Sequence, residues 1–195
     1  LTVLEVASHI TISRGKRSLD IAGREGGDDS SLSLLFYPAM QIADIFHQGI
    51  HFAHSGTDQR KAHVVARQVA PLLTHTPLVD SQGNPTKPVA FHHHLLQGLL
   101  KPPQWHIPPE KRREMLISMK MSKSKPNSAV FIHDDEDVIR EKIEKAFCPP
   151  KESENNPIID WVRHLVLPIR NSLTIERPEK YGGEVAYTEI SPLIR

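Results

Sequence analysis

The stretch Leu34-Leu-Phe-Tyr-Pro-Ala-Met-Gln-Ile-Ala-Asp-Ile-Phe46 is helix-length and almost wholly apolar. A helix that is apolar nearly all round has to be buried on most sides, so the rest of the chain must supply layers to cover it. Three positions break the pattern: Tyr37, Gln41 and Asp44. Their i, i+4, i+7 spacing puts them on one face. Pro38 fits best as the first helical residue, with Tyr37 at the helix mouth. A buried stripe of phenol, amide and carboxylate needs partners, because an unpaired buried polar group costs about 1–3 kcal/mol. Those partners are either other side chains and water or a small polar ligand. The stripe by itself leaves both open.

Its surroundings point to alternating elements. Gly49 is a helix stop for residues 33–47. Residues 50–54 read as a short strand ended by Ser55-Gly56. Residues 58–69 read as a helix, with Ala62, Val65, Ala66 and Val69 at helical spacing. Residues 78–79 and 88–91 are weak strand candidates around a Gln82-Gly-Asn-Pro turn. A helix is expected near residues 14–25, then a Gly/Asp/Ser loop at 26–31. Residues 99–110 are proline-rich and read as an exposed connection. Residues 129–132 read as a strand, 134–146 as a helix with acidic residues in its first turn, and 157–169 as another helix after a linker at 151–156. The alternation implies α/β layering with a mostly parallel sheet.

The segment Ser55-Gly-Thr-Asp-Gln-Arg-Lys61 then lies at a strand-to-helix turn, the edge where α/β folds take ligands. Gly56 allows close backbone approach. Asp58 can accept two hydroxyl hydrogen bonds, as a ribose acceptor does, and Gln59 can point back towards the same place. Asp is also a common helix cap, so the turn alone is a weak signal. Further on, Lys120, Lys123 and Lys125 are separated by Ser122 and Ser124 and stopped by Pro126-Asn127. A solvated surface loop can look like this. So does a loop that wraps a polyphosphate.

Composition narrows the partners. The chain has 195 residues and a formal net charge of +1, so no global basic field drives nucleic-acid binding and any RNA contact must be local. The single cysteine, Cys148, makes no internal disulfide, which suits a reducing, cytoplasmic compartment. No run reaches the roughly 18–20 apolar residues of a membrane span. The start, LTVLEVASHI, has no basic n-region, no cleavage site and no initiator Met, as expected of an excerpt of a longer chain.

Taken together, Tyr37-Pro-Ala-Met-Gln41-Ile-Ala-Asp44, Asp58-Gln-Arg-Lys-Ala-His63, Lys120-Met-Ser-Lys-Ser124 and Ile175-Glu-Arg-Pro-Glu-Lys-Tyr-Gly-Gly183 resemble the tyrosyl-tRNA synthetase family, class I, in its archaeal/eukaryotic form. The motifs occur in the family's order and cover nearly the whole chain. The lysine loop belongs to class I synthetases generally; the Tyr/Gln/Asp stripe with Asp-Gln-Arg-Lys points to tyrosine. The resemblance implies activation of L-tyrosine with ATP, as its Mg2+ complex, and transfer to tRNA(Tyr). It implies that Tyr37, Gln41 and Gln59 hold the amino-acid end of tyrosine, and that Asp44 hydrogen-bonds its phenolic hydroxyl. Gly56 and Asp58 would lie at the ribose. Lys120 and Lys123 would be catalytic on the ATP phosphates, with Ser122 and Ser124 in the same ATP-binding loop. It further implies the second half of a Rossmann-type catalytic domain over residues 1–150, with part of residues 1–70 in a homodimer interface. Residues 151–195 would be a linker and the start of a helical anticodon-binding domain.

One family element has no match, the His-x-Gly-His after the first strand. His47-Gln-Gly-Ile-His51 has the wrong spacing and follows the stripe helix instead of preceding it. Two rivals follow: a tryptophan-specific relative and a non-catalytic tRNA-binding derivative. His92-His-His94 invites a metal reading, but consecutive strand residues do not all face one ion, and no metal is expected. In the family comparison His92 leads towards the nucleotide. His63 reads as a packed helix residue and Cys148 as structural. The clusters Arg14-Gly-Lys-Arg17 and Lys111-Arg-Arg113 read as solvated faces or tRNA phosphate contacts.

Overall fold

A computed structural model of the chain describes residues 1–19, 31–103, 105, 108, 115 and 119–194. The second half of the helix expected at 14–25, the loop at 26–30 and the cluster at 111–113 lie outside the described residues. The backbone gathers into two compact units, Leu1–Leu95 and Leu96–Arg195.

The first unit contains α1 (Thr2–Ser8), α2 (Ile12–Arg17), α3 (Leu32–His47), β1 (Phe52–Gly56), α4 (Arg60–Val69) and β2 (Val89–His93). The expected parallel pairing is present: β1 runs beside β2, with Ala53 opposite Ala90 and Gly56 opposite His93. Helix α3 supplies the core, through Ala39, Ile42, Ala43 and Phe46, packed on Val6 of α1 and Ala66 of α4. The α4 face that fills this core, Ala62, Val65, Ala66 and Val69, is the one its spacing predicts.

Two expectations about α3 are corrected. The helix starts at Leu32, so Pro38 lies inside it and Tyr37 is not at its mouth. Pro38 lacks the N–H that would bond to the Leu34 carbonyl, and its fully buried ring packs in the core instead. The polar stripe is also not buried: Tyr37 is 45% exposed, Asp44 is exposed and Gln41 half-buried. The core takes the opposite side of the helix and leaves this side open.

The second unit contains α5 (Glu136–Glu144), α6 (Pro157–Trp161), a π-helical turn over Val162–Val166, α7 (Leu167–Arg170), β3 (Leu173–Ile175) and β4 (Val185–Tyr187). Strands β3 and β4 pair antiparallel. Asp135 caps α5, its carboxylate accepting from the Val138 N–H at 2.9 Å. Asn156 caps α6, its Oδ1 accepting from the N–H groups of Ile158 and Ile159 at 3.0 and 3.3 Å, with Pro157 at the first helical position. Left-handed Asn171 ends the helical run.

Residues 129–132 are not a strand: the chain leaves a 3-10 turn at Pro126–Ser128 and bends into α5 without a ladder partner. Residues 78–79 contribute only an isolated bridge, Val79 with Pro85. The stretch from 99 is not uniformly exposed either; Leu99 is 1% exposed, because it is built into the lysine loop's base.

Candidate active site

In the first unit, β1 delivers the chain to Gly56, a single 3-10 turn spans Thr57–Gln59, and α4 begins at Arg60. Gly56 is buried, and a Cβ there would meet Leu95 Cδ2 at 2.5 Å and Asp58 Oδ1 at 2.7 Å. The Asp58 carboxylate therefore folds back over the glycine, and there is no room for a side chain at this position. Across from this turn, Gln41 Nε2 donates to Gln59 Oε1 at 2.6 Å. The stripe helix and the β1–α4 turn thus meet through two glutamines, the pair that the family resemblance assigns to one substrate. Tyr37 and Asp44 lie on the same α3 face, one turn before and after Gln41.

Histidines back the turn. His63 on α4 is 7% exposed, a packed helix residue as expected, and its Nδ1 lies 3.1 Å from His92 Nε2. Burial first, then the neighbouring His92, lowers the His63 pKa below the ordinary imidazole value. His92 is lowered too, by desolvation first and then by Arg60, His54 and His93. His93 Nδ1 lies 3.1 Å from His54 Nε2. His92 and His93 thus turn to different partners. Arg14, from the first basic cluster, hydrogen-bonds Gln68.

In the second unit the lysine loop is a tight, internally bonded hairpin. Ser128 is 4% exposed, and its Oγ accepts from the Ser122 N–H at 3.0 Å. Ser122 Oγ and Ser124 Oγ are 2.9 Å apart. The Lys125 N–H donates to the Ser122 carbonyl at 3.1 Å. Lys123 and Lys125 are exposed and Lys120 is half-buried. The loop is strapped at its foot: the Gly98 N–H donates to the Met119 carbonyl at 2.6 Å and the Leu99 N–H to the Ser128 carbonyl at 3.0 Å. Sequence reading missed this strap. Its one trace is the Gln97-Gly98 pair that interrupts the apolar run from Leu95 to Leu100. Cys148 is exposed, with Asn156 Nδ2 at 3.5 Å from its sulfur.

The β1–α4 turn is tied to the polar stripe of α3, and the lysine hairpin stands in the second unit. The family model for class I tRNA synthetases (W and Y) matches residues 3–193, and the chain belongs to that family. It is 51% identical to the tyrosine–tRNA ligase of Pyrococcus furiosus over 196 residues, covering 100% of this chain and 52% of that protein. The tyrosine–tRNA ligase 1 of Pyrobaculum aerophilum is 41% identical over 203 residues, with coverage of 100% and 52%. Among solved structures, the tyrosyl-tRNA synthetase of Pyrococcus horikoshii complexed with L-tyrosine is 48% identical with a TM-score of 0.86, covering 99% of this chain and 52% of that one. The chain spans about half the length of the curated relatives it matches. These matches carry the α/β synthetase catalytic fold expected from the sequence.

Proposed function

We propose that these residues belong to a tyrosine–tRNA ligase. It would use ATP, as its Mg2+ complex, to convert L-tyrosine to tyrosyl-adenylate and pyrophosphate, then pass the tyrosyl group to tRNA(Tyr). The observation that carries this reading is the match along the whole chain to a tyrosine–tRNA ligase at 51% identity, with that to a tyrosyl-tRNA synthetase structure beside it; the Gln41–Gln59 bond, which ties the polar face of α3 to the β1–α4 turn, fits it.

In this reading Tyr37, Gln41 and Gln59 hold the amino-acid end of tyrosine. Asp44 accepts the phenolic O–H. Gly56 and Asp58 sit at the adenylate ribose, Asp58 accepting its hydroxyls. The tyrosine carboxylate attacks the α-phosphorus, the bond to the bridging oxygen breaks, and pyrophosphate leaves with the electron pair. Lys120 and Lys123 stabilise the charge that builds on it. Ser122 and Ser124 let the hairpin close over the phosphates and reopen. Residues 1–150 form part of the catalytic domain, with some of residues 1–70 at a homodimer interface. Residues 151–195 are a linker and the start of an anticodon-binding domain. None of the described helices is long and apolar enough to cross a membrane, and the reading places the protein in the cytoplasm.

Charging of tRNA with labelled amino acid by the full polypeptide tests the proposal. Tyrosine attached to tRNA(Tyr), with tryptophan left free, is the expected result. Charging with tryptophan would assign the tryptophan branch of the family. Binding of tRNA with no charging would make the protein a non-catalytic relative.

A further inference from the structure

Helix α6 is remote in sequence from the lysine hairpin, yet its side chains hold the foot of that hairpin. The Gln97 N–H donates to Asp160 Oδ2 at 3.0 Å, and Trp161 Nε1–H donates to the Gln97 carbonyl at 2.7 Å. Both backbone hydrogen-bonding groups of one residue are thus taken by two consecutive residues of α6. The arrangement is dry: Gln97 is 8% exposed and Asp160 9%. Asn156, 2% exposed, caps the same helix and fixes where Asp160 stands.

Gln97 is also where the hairpin is anchored. It pairs antiparallel with Lys120. The next two residues reach the hairpin's two limbs, Gly98 to Met119 and Leu99 to Ser128. The fit leaves no slack, since a Cβ on Gly98 would stand 2.7 Å from the Met119 carbonyl oxygen, 3.1 Å from that of Ser128 and 3.3 Å from that of Lys120. The Leu99 carbonyl accepts from the Phe147 N–H at 2.8 Å, which braces the far end of the strap. A shift of Gln97 therefore carries Lys120 and both limbs with it. Placement of a catalytic group to within a fraction of an ångström is what transition-state stabilisation depends on.

We infer that Asp160 and Trp161 are positioning residues for the lysine loop, acting through the Gln97–Leu99 backbone. The inference deepens the ligase reading and rests on it for the loop's task. The role of Asp160 here is that of an acceptor oxygen, so an amide should replace it.

The test uses the full polypeptide and four proteins: wild type, Asp160→Ala, Asp160→Asn and Trp161→Phe. Tyrosine-dependent ATP–pyrophosphate exchange is measured beside amide hydrogen exchange at Gly98, Leu99, Ser122 and Ser128. Asp160→Ala is expected to lower kcat by about tenfold to about a hundredfold, the loss of a buried hydrogen bond to a charged acceptor. The KM for tyrosine should stay within about twofold, because the tyrosine residues lie on other elements. Asp160→Asn should recover kcat to within about threefold of wild type, and Trp161→Phe should fall between the two alanine and asparagine results. Faster exchange at the four amides should accompany Asp160→Ala and not Asp160→Asn. Wild-type kcat in Asp160→Ala, or equal damage from Ala and Asn, would overturn the inference. So would parallel losses in tyrosine and ATP parameters matching a loss of folded protein. If wild type itself exchanges no pyrophosphate, the ligase reading falls and amide exchange decides alone: unchanged rates in Asp160→Ala refute the clamp, and faster rates at the four amides support it.

Discussion

Gly98 and Gly15 show how one substitution changes sign with its surroundings. Gly98→Ala drives a Cβ against three backbone oxygens that cannot rotate away, and a loss of about 1–3 kcal/mol is expected from overpacking. Gly15 sits inside α2, where a Cβ would meet only the Leu35 carbonyl oxygen at 4.0 Å. Gly15→Ala should therefore gain about 0.4–1 kcal/mol, mostly by restricting the unfolded chain. Denaturant midpoints of the two variants check both signs. Asp44 tests specificity at the same scale. A site built to hydrogen-bond a substrate hydroxyl rejects the analogue lacking it by about 10⁴–10⁵, and tyrosine-selecting synthetases are themselves the reference case for that figure. Asp44→Ala should reduce the preference for tyrosine over phenylalanine by at least about a hundredfold, read as the ratio of kcat/KM in pyrophosphate exchange. Lys123→Ala belongs with it: kcat of exchange should fall by about 10²–10³ while calorimetric tyrosine affinity holds, because in the proposed mechanism the ammonium would act on charge that develops only in the transition state.

Among elements, the histidine pair between α4 and β2 gives a pH signature. His63 and His92 both have pKa values lowered in the folded protein, chiefly by burial. Their unfolded values lie near 6.5, so the unfolded chain takes up protons first. Stability is complete above about pH 6.5 and is lost as pH falls below it, through the folded values. Denaturation midpoints between about pH 5 and 8 should show this slope, and His63→Gln should flatten it. Elements with a strong local signal were legible in the sequence. The α4 face could be read from Ala62, Val65, Ala66 and Val69, and the α6 start from Asn156-Pro157. Pro38 misled because packing of its ring in the core outweighs the hydrogen bond it removes from α3. Residues 129–132 misled because short apolar runs carry no information about whether a ladder partner exists. That Gln41 and Gln59 belong together came from the family resemblance, which gives both to one substrate; the residue types of the turn alone are a weak signal. The clamp of Asp160 and Trp161 on Gln97 was not legible: it joins backbone groups to side chains more than sixty positions away, and backbone hydrogen-bonding groups have no sequence signature.

At the scale of the molecule, each unit carries one half of the proposed chemistry. Leu1–Leu95 holds the residues proposed for the amino acid and the ribose, and Leu96–Arg195 holds the lysine hairpin. The family match runs across both, from residue 3 to residue 193. The most direct measurement is ATP–pyrophosphate exchange by the full polypeptide with tyrosine, tryptophan or phenylalanine as the only amino acid. Exchange that depends on tyrosine alone is the expected result. Exchange driven by tryptophan, or none with any of the three, would contradict it.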